Sequence, residues 1–536
     1  MTKKTIRIRD NIHGNIVFDE CYQSLLTSKF FKRLHNITQM GMVRQVFPAA
    51  VHTRFSHSLG VYQTMSKLLD AVCKSLGDHD PPDDNERFFL KTAALLHDIG
   101  HFPLSHTVER ALERFEEFKL PQRQSANEAT INGFIDYNGE TKSAPVSRTK
   151  AALHEQLSAE IIKHTSISKK ISEAFQHVKS SASSKFDLQS ITYGILGESS
   201  ELVADQNLEK DNLYFKLARF LLHSQLDADR LDYLLRDSLS AGVKPGGFDI
   251  DKLISEIKVI KVDNSDDSQK YHYGVSAQGL RNIEEYMLTR AYNYLEIVYE
   301  PVSHGLGMLA EEFYFQLLLL KHYKRIKKKY TSSILAYNEI KDLLKQDHEG
   351  DTFCDFDDYT FLNLIRHARA KNNDDSLFMS KDFPCEDILR SKEVIQTMAE
   401  MLSDGVPPQL IWRNELVTTE GNYKATNKLR KDNGTEYREQ LLQAIEESGL
   451  QMDHLLISDK KSRIKLVDDD ELEHLSIFTE DGSLLYNDFT QYPGSLFHPL
   501  KGFSIYVDSV FYIGLPDDIS SDTEYKIRKF ADCMSR

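Results

Sequence analysis

Apolar residues along this chain recur mostly at helical spacing. Between Tyr22 and Ile37 they fall at 25, 26, 30, 31 and 34, and over 57–76 Leu59, Val61, Met65, Leu68 and Leu69 share one side, so both stretches are predicted helices. Phe88 to Asp98 is apolar almost throughout and predicts a third helix, which Pro103 separates from a fourth running to about Phe118. Leu153 to about His164, then 168–179, 187–196, 212–224 and 227–239, extend the series, and long helices are predicted at 277–298 and 303–329. Two places break the pattern. Ile-Arg-Ile-Arg and Ile16-Val17-Phe18, either side of Asp10-Asn11-Ile12-His13-Gly14-Asn15, predict two short strands and a turn. The runs 255–262 and 270–276 flank an Asp/Asn/Ser turn and predict a hairpin. Residues 121–150, rich in Ser, Asn, Thr and Gly, predict a surface insertion.

Towards the C-terminus the pattern alternates. Helical runs at 336–345, 357–369, 385–404, 424–447 and 520–534 are interspersed with strand-like runs at 454–458, 462–466, 474–478 and 503–514. The predicted fold class is mainly α: a helical bundle over 1–330 with small β-hairpins, then an α+β region over 331–536. A bundle suits a site built from side chains of several helices.

Composition narrows the function classes. At 536 residues, 40% hydrophobic and 27% charged, the chain is a globular protein long enough for more than one core. A formal charge of −15 argues against a general nucleic-acid coat, because phosphate binding needs an excess of Lys and Arg. The one basic cluster, Lys321–Lys329, reads either as a helix C-terminus, where cations are favoured, or as a nucleotide contact. Five cysteines without a CxxC pair read as free thiols of a reducing compartment. No apolar leader is visible and no run approaches 18 apolar residues, so a cytoplasmic protein without a membrane span is expected.

The chemistry concentrates in Ala93-Ala94-Leu95-Leu96-His97-Asp98-Ile99-Gly100-His101-Phe102-Pro103-Leu104-Ser105-His106. An imidazole and a carboxylate ending an apolar helix are costly to bury unless something binds them, and a metal ion does so with ordinary ligands. Taken alone, the stretch also reads as a helix end with solvent-facing polar residues. Two further blocks shift the balance: His52-Thr53-Arg54-Phe55-Ser56-His57 before it, and Leu226-Asp227-Ala228-Asp229-Arg230-Leu231-Asp232-Tyr233 after it. His57, His97, Asp98 and Asp229 together form a metal set of the type H…HD…D. Four protein ligands leave positions for water and a phosphate oxygen on a six-coordinate ion, which favours Mn, Fe, Co or Mg over a closed structural zinc. His101, His106 and His154 titrate near neutrality, so one of them can protonate a leaving oxygen. Each taken singly also reads as a packing residue.

These blocks resemble the HD-domain phosphohydrolases, and more narrowly the deoxynucleoside triphosphate (dNTP) triphosphohydrolases of the sterile-alpha-motif/HD-domain branch. Asp10-Asn11-Ile12-His13-Gly14 is similar to the family's opening Asp-Pro-Ile-His-Gly, with Asn11 in place of the proline. The resemblance covers residues 7–110 and, more loosely, 150–300. It implies a metal-dependent enzyme that converts a dNTP to deoxynucleoside and tripolyphosphate, an activity that would serve dNTP pool control or antiviral defence. It also implies a homo-oligomer (dimer, tetramer or hexamer), with 331–536 as its regulatory or oligomerisation region, and a nucleotide effector. By resemblance His106 is the acid at the leaving 5′ oxygen, and His101 and His154 orient phosphates. Arg54, Arg230 (where the family usually has lysine) and Arg290 bind phosphate, while Gln39 and Asp237 meet the 3′-hydroxyl. Tyr233 closes the side where a 2′-hydroxyl would project, although it also reads as a core residue. The family's aromatic-His-Lys stretch should fall near Val298-Tyr299-Glu300-Pro301, which has no His-Lys; Tyr299 is left for the sugar-packing role. In the resembled branch an Asp, a Gln and an Arg near the first helix read a guanine nucleotide activator, and here those positions hold Thr27, Lys32 and His35. Two alternatives stay open: an HD phosphohydrolase acting on nucleoside monophosphates, cyclic nucleotides or alarmones, and a non-catalytic nucleotide sensor.

Overall fold

The computed structural model describes residues 4–77, 81–119, 151–178, 188–197, 213–244, 247–263, 269–372, 374–379, 382–383, 388–419, 437–458, 463–466, 475–500 and 503–535. The expected insertion at 121–150 lies outside them, as does most of the predicted helix at 424–447. The fold is mainly α with small sheets. Among the described residues no helix is long and apolar enough to cross a membrane.

The bundle is organised around α1 (Arg54–Leu76), which buries His57, Leu59, Val61, Met65, Leu68, Leu69 and Val72. It packs against α2 (Asp84–Leu96) and further along the chain against α5 (Ala228–Ala241). A capping box starts α2: Asp83 Oδ1 accepts from the Glu86 amide and Glu86 Oε2 from the Asp83 amide, both at 2.8 Å. The helix stops at Leu96, so His97 and Asp98 occupy the turn that leads to α3 (His106–Phe118). Gly100 lets α4 (Leu153–His164) close on that turn, since a Cβ there would run into the Ser158 amide and the His154 carbonyl. Ser158 Oγ locks the contact, accepting from the Gly100 amide at 2.9 Å and donating to the His97 carbonyl at 2.7 Å. The Asp227 side chain caps α5, and Gly242 ends it in a left-handed conformation (φ 69°). After these come α6 (Leu280–Asn293) and α7 (Pro301–His322), the latter packed along α3.

Strands β1 (Thr5–Asp10) and β2 (Gly14–Asp19) form the predicted hairpin, in the register Ile8↔Ile16. Antiparallel β3 (Ile257–Asp263) and β4 (Gln269–Ser276) form the second. The C-terminal part contributes β5 (Gln409–Thr419), β6 (Leu455–Ile457), β7 (Arg463–Lys465), β8 (Ser476–Phe478), β9 (Leu484–Tyr486) and β10 (Phe503–Tyr512). β10 pairs with β5, β6 and β7, whereas β8 joins the other sheet, parallel to β4. One buried apolar cluster runs from Ile16 through Leu402 and takes in Leu456, Leu475, Ile477 and Phe511. A smaller one unites Ile411, Leu441, Val510 and Phe530.

Three expectations need correction. The stretch 22–37 is not one helix: Thr27 Oγ1 turns back to the Gln23 carbonyl at 2.8 Å, and Ser28, extended, caps a second short helix (Lys29–Arg33) through the Phe31 amide. Adjacent Thr and Ser hydroxyls competing for backbone groups explain the break. The helix predicted over 303–329 ends at His322, because Lys324 turns left-handed (φ 56°) and the Arg325 amide reaches back to the Leu320 carbonyl. In the basic cluster, Lys321 pairs with Glu339 at 2.8 Å. Strands β5 and β9 are additions to the predicted set; Arg413, Asn414 and Glu415 interrupt the apolar alternation of β5.

Candidate active site and metal centre

His57 from α1, His97 and Asp98 from the turn after α2, and Asp229 from the first turn of α5 converge in the bundle. One side-chain ligand atom from each of His57, His97 and Asp98 lies within 4.8 Å of the others. His57 Nε2 is 2.8 Å from Asp229 Oδ1 and 3.7 Å from Asp98 Oδ2; His97 Nε2 is 3.3 Å from Asp98 Oδ1 and 3.7 Å from Asp229 Oδ1. The predicted metal set is thus brought together.

The fit to a cation follows from the outward nitrogens. His97 Nδ1 donates to the Ala94 carbonyl and His57 Nδ1 to Asp232 Oδ2, each at 2.8 Å, so both rings present an unprotonated Nε2 once a cation is bound. Both Nε2 atoms are buried and face the carboxylate oxygens of Asp98 and Asp229. Burial opposes ionisation of Asp98, but Arg54, His97 and His57 hold its carboxyl well below the usual range; Asp229 is held down likewise by His57 and His97. Burial also opposes a charge on His57, yet Asp229 and Asp232 push it up to about 10. Ionised oxygens beside imidazole nitrogens suit a divalent ion.

Asp232 is the hub behind the centre. Buried, it accepts from His57 Nδ1, from His13 Nε2 at 2.7 Å, and from Arg236 Nε at 2.8 Å and Nη2 at 3.0 Å. Arg236 is anchored in turn by Asp10 of the β1–β2 turn at 2.8 Å. Gly60 makes room for this network, since a Cβ there would collide with the Asp232 carboxylate and the Arg236 guanidinium.

Beside the cluster stand His101, His106 and His154, ligand atoms again within 4.8 Å of one another. Glu109, one turn into α3, organises two of them: Oε2 accepts from His106 Nδ1 at 2.7 Å and Oε1 from His154 Nδ1 at 2.8 Å. His101 stacks on His154, ring centroids 4.1 Å apart, and approaches Asp98 Oδ1 at 3.4 Å. The environments separate the three. Burial and the nearby Arg54 and His154 charges drive His101 well below its usual pKa, so it is neutral. Burial opposes a charge on His154, but Glu109 lifts it to about 9. His106, its side chain 55% exposed, is lowered by desolvation against the pull of Glu109.

A cavity of about 510 Å³ is lined by Asp229, Arg54 and His106 together with Tyr233, Asp237 and Tyr299. Gln39 and Arg230 also line it. Asp237 accepts from His52 Nε2 at 2.8 Å, Gln39 Oε1 is buried without a partner, and the Arg230 side chain donates to the Ser224 carbonyl at 2.9 Å. Tyr299 meets the His304 ring edge-on at 5.2 Å. Arg54 lines the cavity too, while its Nη1 donates to Asp98 Oδ2 at 2.7 Å and its Nε to Ser105 Oγ at 2.9 Å. Arg290 is outside this lining. It is buried near Tyr233, with Nε and Nη1 unpartnered.

The turn before His106 is strained. Leu104 (φ 52°) and Ser105 (φ 56°) are successive non-glycine residues in the left-handed region, which costs about 1–2 kcal/mol each. Pattern reading overlooked Asp232 and Glu109, although each sits one helical turn beyond a singled-out residue, Asp229 and His106. His13, within a noted block, had no assigned role. No local signal marks Asp358, whose carboxylate reaches this turn from more than 250 residues downstream.

A family model for the HD domain matches residues 54–136. An uncharacterized protein of Mycoplasma pneumoniae is 29% identical over 384 residues, which cover 68% of this chain and 74% of that protein. The deoxynucleoside triphosphate triphosphohydrolase SAMHD1 of Xenopus laevis is 28% identical over 260 residues, 47% of this chain and 37% of its own length. A crystal structure of a hypothetical protein from Aquifex aeolicus, 19% identical, matches with a TM-score of 0.57 over 95% of this chain and 97% of that one, a likeness of fold.

Proposed function

We propose, on the premise that this chain is an HD-domain phosphohydrolase with dNTP triphosphohydrolases among its relatives, that it cleaves dNTPs to deoxynucleoside and tripolyphosphate. The observation that carries this reading is the cavity of about 510 Å³, whose lining includes Asp229 and His106 together with Tyr233, Asp237 and Tyr299. That volume suits a nucleotide more than an inorganic phosphate or a small ester. In this reading His57, His97, Asp98 and Asp229 hold the divalent ion, Mn, Fe, Co or Mg. Such an ion, when bound, neutralises phosphate charge and lowers the pKa of water.

The chain's own residues divide the remaining work. The bond between the α-phosphorus and O5′ breaks; the water oxygen stays with the tripolyphosphate and O5′ takes a proton. His106, which lines the cavity, donates that proton from Nε2 in its imidazolium form, with Nδ1 held by Glu109. His154, cationic at neutral pH, and neutral His101 hold phosphate oxygens, with Arg230 further along the cavity; Arg290 is left as a phosphate contact by resemblance alone. Asp237 accepts from the 3′-hydroxyl and Gln39 makes a further contact with it, while Tyr233 and Tyr299 flank the deoxyribose. Residues 1–330 are proposed as the hydrolase core and 331–536 as a regulatory or oligomerisation part of a homo-oligomer.

The test is incubation of the purified protein with each dNTP and NTP plus Mn or Mg, resolving nucleoside from mono- and diphosphate products. Tripolyphosphate with deoxynucleoside, formed from dNTPs in preference to NTPs, is the expected result. Release of orthophosphate or pyrophosphate, or turnover confined to monophosphates or cyclic nucleotides, refutes the reading.

A further inference from the structure

The left-handed pair Leu104–Ser105 sits between the HD turn and His106, so its conformation decides where α3 begins and where His106 points. Strain of this kind persists only where surrounding contacts over-determine it. The contacts here converge on one carboxylate. Asp358 Oδ1 accepts from the Leu104 amide at 2.6 Å, and Oδ2 accepts from the Thr38 amide at 3.0 Å and from Thr38 Oγ1 at 2.8 Å. Thr38 passes the constraint on: its carbonyl accepts from Ser105 Oγ at 2.6 Å, and Ser105 Oγ accepts from Arg54 Nε at 2.9 Å. Arg54 then grips Asp98.

Asp358 is the first residue of the helix Asp358–Ala368, far from the HD-matched segment in sequence. It is 5% exposed, and all three of its donors are uncharged. Its neighbour Asp357 clamps the same loop from the other side, accepting from Asn36 Nδ2 at 2.9 Å. Arg33 and Arg44 act on this carboxylate only through space, with no direct ion pair, so burying it remains an expensive choice for packing alone, which a neutral side chain would meet at lower cost.

We infer that Asp358 is a positioning residue of the hydrolytic centre: by tying the 37–38 loop to the Leu104–Ser105 turn, it fixes the direction of His106. This rests on the proposed function for its kinetic consequences, though not for its structural ones.

Asp358→Asn preserves size but turns an NH2 toward one of the two donor groups, so Leu104 or Thr38 loses its acceptor. Displacements near 1 Å of a positioned group cost about 10²-fold in rate. The expected result is a kcat about 10²-fold lower, with KM and bound metal within about threefold of wild type. In the double variant Asp358→Asn/His106→Ala the rate falls no further than in His106→Ala alone, because one residue acts through the other. Amide hydrogen exchange supplies a readout free of substrate: 103–107 and Thr38 lose protection while α1 and α2 keep theirs. Multiplicative losses in the double variant, or unchanged protection at 103–107, overturn the inference. Should Asp358→Asn fail to fold, Thr38→Val, which deletes one donor and leaves the backbone bonds, carries the same tests and is expected to give the same pattern at smaller size. If wild-type protein turns over no dNTP, the proposed substrate fails, and the exchange comparison still decides the role of Asp358.

Discussion

Replacing Asp232 by Asn probes the metal centre without touching a metal ligand. The carboxylate accepts four hydrogen bonds, and an amide has one oxygen to replace two. If that oxygen faces His57 and Arg236 Nε, the NH2 opposes Arg236 Nη2, which can only donate; His13 can adapt by changing tautomer. If it faces the other way, His57 Nδ1 becomes an acceptor and the ring proton moves to Nε2, the atom aimed at the ion. Either arrangement loses a charge-assisted bond worth about 1.5–3 kcal/mol. Arg236 keeps Asp10 at 2.8 Å, so the guanidinium is not stranded and the fold is expected to survive. Losing an outer partner of a metal-bound histidine lowers metal affinity by about 10–100-fold, or ~1.4–2.7 kcal/mol. Competition titration of metal-loaded protein against a chelator measures this, with a thermal melt to certify folding. Affinity within threefold of wild type in a folded variant would refute the reasoning. Gly60→Ala, which crowds the same carboxylate, should shift affinity in the same direction.

His106→Ala should lower the single-turnover rate by roughly 10²–10⁴, the span of general acid catalysis, with metal content unchanged; loss of metal would identify His106 as a ligand instead. Burial opposes the charge of Glu312, yet Arg390 and Arg114 hold it down to about 2, against 4.5 unfolded. A depressed carboxyl stabilises above the unfolded value and loses that contribution as pH falls through the folded one. Glu312→Gln should therefore remove about 3 kcal/mol of the stability lost between pH 4.5 and 2, and denaturant melts across that window check it. GTP should not be an obligate activator: Thr27, Lys32 and His35 are exposed, and Thr27 offers no carboxylate to the two guanine N–H donors. Initial rates with and without GTP decide this, and a GTP requirement lost in Thr27→Ala would show the opposite.

Much of the centre was legible because its residues come in short blocks at fixed offsets. The His-Asp doublet ends an apolar helix, and α1, α4 and α5 lie within a few residues of their predicted bounds. What escaped was of two kinds. Asp232 and Glu109 are ordinary helix-surface acids in sequence, and only tertiary packing turns them towards His57 and His154. Asp358 and β5 depend on partners tens to hundreds of residues away, beyond the reach of any periodicity. The break at Thr27–Ser28 was visible in principle, since two hydroxyl side chains interrupt an otherwise apolar series.

The strand β8 and the Asp358 carboxylate, both supplied late in the chain, bear on the birth of the protein at the ribosome. Asp358 emerges 260 residues after Asp98, and β8, which extends the sheet begun by β3 and β4, later still. At about 5–20 residues per second, Asp98 waits roughly 13–50 s for Asp358 to follow it. During that interval the turn before His106 lacks the carboxylate that fixes it in the finished fold, so its final conformation is one of the last local features that synthesis can establish.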